Sequence, residues 1–180
     1  MSPYGTIYQG LRAYYHNYPR LEFGTIESFN ESGGLDYVHD YYVERAARFN
    51  SSKSIPVEGM FALIQLAVEE DHYPTFNLLM MDFLKKGFIE AIGPRRAVGY
   101  AQFYMKNGGI RGAQSIYEIL SKIHPSEPTP VNGLGHVFKA LNNTPEAIAY
   151  YKKAIDLAKR GNHPRLSQFE NDLIDIKNKK

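Results

Sequence analysis

The chain contains no cysteine and no tryptophan among its 180 residues. Without cysteine it can form neither a disulfide bond nor a thiolate metal site, and its redox compartment stays open. It also lacks any run near the roughly 18 consecutive apolar residues that a membrane-spanning helix needs. The sequence therefore predicts no membrane span and no cysteine chemistry.

A strong charge of one sign is missing as well. The chain has 21 Lys and Arg residues against 19 Asp and Glu residues, which leaves a formal charge of +2. Proteins that bind nucleic acid usually concentrate basic residues on one face or stripe. Here the densest basic cluster is Lys177, Lys179 and Lys180 at the C-terminal tail. We therefore expect no nucleic-acid partner.

Strand patterns are also scarce, because apolar and polar residues never alternate for more than four or five positions. Apolar residues recur instead at helical spacing between proline and glycine breakers, and we interpret the 14 Tyr and 10 Phe as core residues. Pro56, Pro94 and Pro128 are typical of first helical turns, and Thr144 of an N-cap. The sequence predicts an all-α fold of antiparallel helix pairs.

A repeat of about 34 residues relates two successive helix pairs. Small residues and aromatic residues each recur at this spacing. Small residues are typical of positions where two helices approach closely, and aromatic residues of positions where the neighbouring pair leaves a hole. The matching positions are Ala101 and Gly135, Tyr104 and Phe138, Ala113 and Ala147, and Tyr117 and Tyr151.

This spacing resembles the tetratricopeptide repeat, with Leu134-Gly135, Phe138, Ala147, Tyr151 and Ala154 as the best copy. The resemblance implies a short tetratricopeptide-like superhelix over residues 53–180, with a C-terminal capping helix. The copy departs from the pattern at Lys159, where a proline is usual. The pair over 56–87 has the right shape but matches the pattern poorly. The alternative is a generic helical bundle in which the spacing of about 34 residues arises by chance.

The repeat resemblance also implies a binding surface, because the first helix of each pair lines the concave face in such proteins. The register places five polar residues there. A groove of this kind could accept an acidic or C-terminal peptide, although the Lys and Asn set of carboxylate-clamp members is not reproduced. The candidate binding residues are Arg95, Gln102, Asn132, His136 and Lys139.

A second resemblance lies at the N-terminus. The segment Pro3–Arg12 contains Tyr-x-Gly-Leu-Arg and resembles the tail of enterochelin-esterase-like serine hydrolases. The resemblance implies that residues 1–52 are the tail of a hydrolase domain plus a linker. The family's catalytic His precedes this segment, but Met1 and Ser2 stand there, and Gly-x-Ser-x-Gly is absent. No catalytic residue can be carried over, and we expect the chain to be a C-terminal fragment. The compartment stays open between bacterial cytoplasm and periplasm.

No other constellation predicts chemistry. The six histidines include no pair at i, i+4 and no His-Glu-x-x-His, so we expect no metal site and no cofactor. The glycine-rich stretch 107–112 lacks the Lys-Ser/Thr of a phosphate-binding loop. The acidic residues at 69–71 are interpreted as a solvated helix end.

The leading hypothesis is therefore a non-catalytic interaction module, the appendage of a serine esterase, which contacts its own hydrolase domain or a protein partner. The alternative is a free-standing adaptor that binds a peptide. A self-contained helical hydrolase is the third hypothesis. Exposed aromatic residues such as Tyr4, Tyr8 and Phe23 could also drive homodimerisation.

Overall fold

The computed structural model describes residues 3–14 and 20–178, and these ranges contain α-helices, one 3₁₀ turn and no strand. The all-α prediction is confirmed. None of the helices in these ranges is long and apolar enough to cross a membrane. The helices are α1 (Pro3–Tyr14), α2 (Ile26–Glu31), α3 (Gly34–Phe49), α4 (Val57–Glu69), α5 (Tyr73–Phe83), α6 (Phe88–Ala91), α7 (Pro94–Lys106), α8 (Ile110–Ile123), α9 (Pro128–Ala140), α10 (Thr144–Arg160) and α11 (Leu166–Asn178).

The chain forms two compact units, unit 1 (Met1–Phe83) and unit 2 (Leu84–Lys180). The boundary that the sequence suggested, after residue 52, falls between α3 and α4 inside unit 1. Two contacts join the chain before that point to α4 and its end. The Arg20 guanidinium donates to the Glu58 carbonyl oxygen. The Glu70 carboxylate accepts from the Ile26 backbone N–H at 3.1 and 3.2 Å.

The acidic residues at 69–71 are exposed, as expected for a solvated helix end, and Glu70 in addition contacts α2. The Glu70 carboxylate stands at the first turn of α2, where helix N–H groups are otherwise without acceptors. Thr25 completes this cap, because its hydroxyl oxygen accepts from the Ser28 N–H while the Ser28 hydroxyl oxygen accepts from the Thr25 N–H. The negative charge therefore stabilises α2.

Unit 2 repeats its helix starts at a fixed interval. The interval from Pro94 of α7 to Pro128 of α9 equals the interval from Ile110 of α8 to Thr144 of α10. It is also the spacing that the sequence repeat predicted. Short turns join α7 to α8 and α9 to α10, and each of these pairs packs together. The second pair adds to the first because α9 also packs against α8, and α11 packs against α10.

Glycines in unit 2 allow tyrosine rings to approach the helix backbone. A Cβ atom built at each of these glycines would lie within 2.5 Å of a ring carbon, well inside van der Waals contact. Only a residue without a side chain fits there, which agrees with the expectation that small residues mark close helix contacts. The pairs are Gly112 with Tyr104, Gly133 with Tyr117, and Gly135 with Tyr151.

Two local predictions were wrong or incomplete. Asn143, not Thr144, caps α10, because its side-chain oxygen accepts from the Glu146 N–H at 3.4 Å and Thr144 is already helical. No sequence pattern indicated α6, since four residues are too few for a periodic signal. Phe88 of α6 is nevertheless fully buried and stacks on Tyr100, with ring centroids 6.1 Å apart.

Candidate functional site

A cavity of about 500 Å³ opens on unit 2. This volume lies within the range of ligand-binding pockets. We call it the groove. One wall is the N-terminal part of α7 as far as Gln102, another is the start of α9, and the third is the connection into α11. Its lining residues are Pro94, Arg95, Val98, Gly99, Gln102, Glu127, Thr129, Pro130, His163, Pro164 and Arg165.

The charged side chains of the groove differ in whether they have hydrogen-bond or ion-pair partners. Glu127 caps α9, because its Oε1 accepts from the Thr129 N–H at 3.4 Å and from the Thr129 hydroxyl at 2.9 Å. The same oxygen lies 3.5 Å from His163 Nε2. By contrast, the exposed Arg95 and Arg165 have no ion-pair partner within residues 3–14 and 20–178. The groove thus offers two guanidinium groups to an incoming anion.

The structure brings only part of the predicted binding set to this cavity. Arg95 and Gln102 line the groove. Asn132 is buried, with 4% of its surface exposed, and His136 is half-buried on the same helix. Lys139, half-buried one turn further along α9, is also outside the lining. For Asn132 and His136 the difference arises because α11 places Asp172 against the middle of α9.

Asn132 and His136 belong instead to a polar cluster with Tyr151 and Asp172, which we call the polar latch. Asp172 Oδ2 accepts from Asn132 Nδ2 at 2.8 Å and lies 3.2 Å from His136 Nε2. His136 Nδ1 lies 3.0 Å from the Tyr151 hydroxyl. The latch therefore connects α9, α10 and α11 by side-chain hydrogen bonds.

The electrostatics of the latch define its protonation state. Burial lowers the pKa of His136, Asp172 opposes this shift, and Lys139 adds to it. Burial and the nearby Asp172 and Asp175 raise the pKa of Tyr151. In neutral His136 one ring nitrogen donates and the other accepts: Nε2 faces Asp172 and, at 3.1 Å, Asn132 Nδ2, whereas Nδ1 faces the Tyr151 hydroxyl. Both ring nitrogens have hydrogen-bond partners, so His136 can act as a general base only after one of these bonds breaks.

Sequence reasoning missed the groove residues that precede the helices. Glu127 and His163 lie before α9 and α11, and Arg165 lies immediately before Leu166. Helical register cannot place such residues, because the backbone of a connection has no fixed period. The one available signal was Pro164, which marks where the chain turns into α11. Asp172 was missed because its role depends on contact with α9.

The polar latch predicts a specific dependence of stability on pH. The folded-state pKa of His136 lies below its ordinary value of 6.5, so the unfolded chain binds this proton more readily. Its contribution to stability is complete above that value and is lost as the pH falls. We expect urea denaturation between pH 7 and pH 5 to show a steeper loss of unfolding free energy in wild type than in His136→Gln. Equal slopes would contradict this prediction.

Comparison with models of known protein families finds no match for this chain, and a comparison with curated proteins finds none either.

Proposed function

We propose that unit 2 is a non-catalytic helical repeat module, of tetratricopeptide-like construction, that binds a protein partner in the groove. The single observation that carries this proposal is the groove itself, which combines apolar walls with Arg95, Gln102 and Arg165. Protein–protein interfaces share this combination, since they surround an apolar centre with polar groups.

The repeat character rests on two features of unit 2. Corresponding helices of the two pairs begin at one constant interval, and α9 packs on both its neighbouring helices. Short solenoids of helix pairs commonly present the first helices of their pairs on one binding surface. The groove supports this proposal because two of its walls come from α7 and α9, the first helices of their pairs, while the third comes from the connection to α11.

The non-catalytic character is supported by the polar latch. His136, which contributes two ring nitrogens to this network, has both of them engaged by Tyr151 and Asp172. A purified chain that hydrolyses an ester substrate, and loses this activity in His136→Ala, would overturn this part of the proposal.

We further propose that the module is the C-terminal appendage of an enterochelin-esterase-like serine hydrolase. The segment with that resemblance forms α1, where Ile7, Tyr8 and Leu11 are each more than half exposed. Three apolar residues on one exposed helix favour a covering partner. The test is the encoding locus, where an upstream in-frame serine hydrolase domain is expected. Its absence favours the alternative, a free-standing adaptor that binds a peptide.

Gly99 offers a direct test of groove binding. It lines the groove on α7, and a Cβ added there meets no atom within 4 Å. Gly99→Trp should therefore fill the groove without disturbing the core, whereas Gly99→Ala should leave the groove open. Peptides that bind the full chain are first selected from a random display library. We expect Gly99→Trp to weaken their binding by at least about tenfold, because it occupies their site.

The matched Gly99→Ala variant controls for loss of the glycine. We expect it to bind the selected peptides like wild type and to gain about 0.5–1 kcal/mol of unfolding free energy, since alanine favours helix. Melting temperatures measured for all three proteins separate binding from folding. Selected peptides that bind Gly99→Trp as tightly as wild type, or a selection that yields none, would count against the proposed function.

A further inference from the structure

We infer that the groove selects an acidic peptide segment, whose carboxylate side chains are held by Arg95 and Arg165. This inference rests on the proposed function, because it names the class of partner for the same site. Arg165 is the residue that the structure adds, since it precedes α11 and joins Arg95 of α7 at one cavity. Two guanidinium groups from separate parts of the chain can hold two carboxylates along an extended segment.

The charge balance of the groove favours an anionic occupant. Its lining contains two arginines and one glutamate, so the formal charge is +1 with His163 neutral and +2 with His163 protonated. One oxygen of this glutamate is already engaged, because Glu127 Oε1 accepts two hydrogen bonds from Thr129 and faces His163. Arginine binds carboxylate in a bidentate geometry, which adds specificity to the attraction.

The starts of two helices reinforce this charge. α7 begins at Pro94 and α9 at Pro128, and both helices enter the groove wall by their first turns. The N-terminal end of a helix carries a partial positive charge, which stabilises a nearby anion. This effect adds to the attraction of the arginines and does not define the site alone.

The size and lining of the groove indicate a peptide rather than a free small anion. A single phosphate would leave most of the 500 Å³ cavity unfilled. Val98, Pro130 and Pro164 give the cavity apolar walls that suit aliphatic side chains of a peptide. The exposed Gln102 amide can both donate to and accept from a peptide backbone. An extended segment that alternates acidic and aliphatic residues matches this lining.

The test uses three fluorescein-labelled peptides and the full chain. Their repeated dipeptides are Glu-Val, Gln-Val and Lys-Val, flanked by glycine, and binding is measured by fluorescence anisotropy at pH 7.5. We expect only the Glu-Val peptide to bind. Arg95→Gln and Arg165→Gln should each weaken its binding by about tenfold, since each removes a hydrogen bond to a charged group. The double variant should abolish measurable binding.

Two controls separate specific recognition from net charge and from folding. Arg160→Gln removes one exposed positive charge of α10 outside the groove and should leave affinity within about twofold of wild type. Arg95→Lys keeps the charge but not the bidentate geometry, so it should lose affinity although unit 2 stays folded. The melting temperature of each variant confirms that it is folded.

Several outcomes would overturn the inference. Equal binding of the Gln-Val peptide would exclude selection by carboxylates, and a loss in Arg160→Gln equal to that in Arg95→Gln would indicate unspecific charge attraction. Inorganic tripolyphosphate that binds more tightly than the Glu-Val peptide would make the groove a small-anion site. The peptides selected by display also test the inference. If Gly99→Trp weakens their binding but they are basic or apolar, the proposed function stands and this inference alone fails.

Discussion

Gly133→Ala is expected to lower the unfolding free energy by about 2 kcal/mol, because it overpacks a helix contact. The added Cβ would lie 2.4–2.7 Å from three carbons of the Tyr117 ring, which is nearly fully buried. Because the surrounding core is closely packed, the ring has little room to move away from the added methyl group. Overpacking of this kind costs up to about 3 kcal/mol, and the better helix propensity of alanine offsets about 1 kcal/mol.

Chemical denaturation of Gly133→Ala and of its matched control, Gly99→Ala, measures the loss of unfolding free energy that overpacking causes. Both changes place the same methyl group in a helix of unit 2, but Gly99 faces open space. Gly99→Ala should therefore gain stability while Gly133→Ala loses it. In a Tyr117→Leu background the penalty of Gly133→Ala should shrink, because the opposing ring is gone. Equal effects of the two alanines would contradict the packing argument.

Asp172→Ala is the second change with a large expected effect, a loss of about 2 kcal/mol of unfolding free energy at neutral pH. Asp172 Oδ2 accepts from Asn132 Nδ2 and faces His136 Nε2. Its removal takes the nearer partner from Asn132 Nδ2, whose other neighbour is His136 Nε2 at 3.1 Å, and an unsatisfied buried donor costs about 1–3 kcal/mol. Asn132 is almost fully buried, so solvent replaces its lost bond poorly.

Asp175→Ala is the matched control, since Asp175 is an exposed carboxylate one turn further along α11. It should change the unfolding free energy by less than about 0.5 kcal/mol. Urea denaturation of both variants gives the difference, and hydrogen exchange along α11 locates it. A pair of variants with equal stability would show that the polar latch contributes nothing measurable.

The polar latch also has a consequence for the groove, because both involve α11. Arg165 lies immediately before the first turn of α11, and Asp172 lies two turns further along the same helix. Loss of the latch should therefore loosen the segment that carries Arg165. We expect Asp172→Ala to weaken binding of the Glu-Val peptide less than Arg165→Gln does, since it removes no contact with the ligand.

Helix existence could be predicted from the sequence because it depends on local and periodic signals. Pro94 and Pro128 begin α7 and α9 where proline is typical of a first turn. The stripe of Ala113, Ile116 and Tyr117 is buried on α8 as its spacing predicts. Such features need only the chain's own backbone geometry. The cap of α10 was misplaced by one residue, because neighbouring Asn143 and Thr144 have similar capping ability.

The site could be predicted only in part. Arg95 and Gln102 line the groove because the register of a single helix, α7, decides which way they face. Asn132 and His136 share a face of α9 by the same rule, but Asp172 of α11 covers that face and binds them. Their surroundings depend on a contact between residues 40 positions apart, which no periodic pattern encodes.

The sequence by itself determined that the chain is all-α, where its long helices begin, and that one constant spacing relates two helix pairs of unit 2. These properties follow from backbone preference and from apolar periodicity, which act over a few turns. Only the tertiary structure decided that Arg165 joins Arg95 at the groove and that Asp172 closes the polar latch. The physical reason is that hydrogen bonds and cavities depend on side-chain positions fixed by the packing of helices distant in sequence.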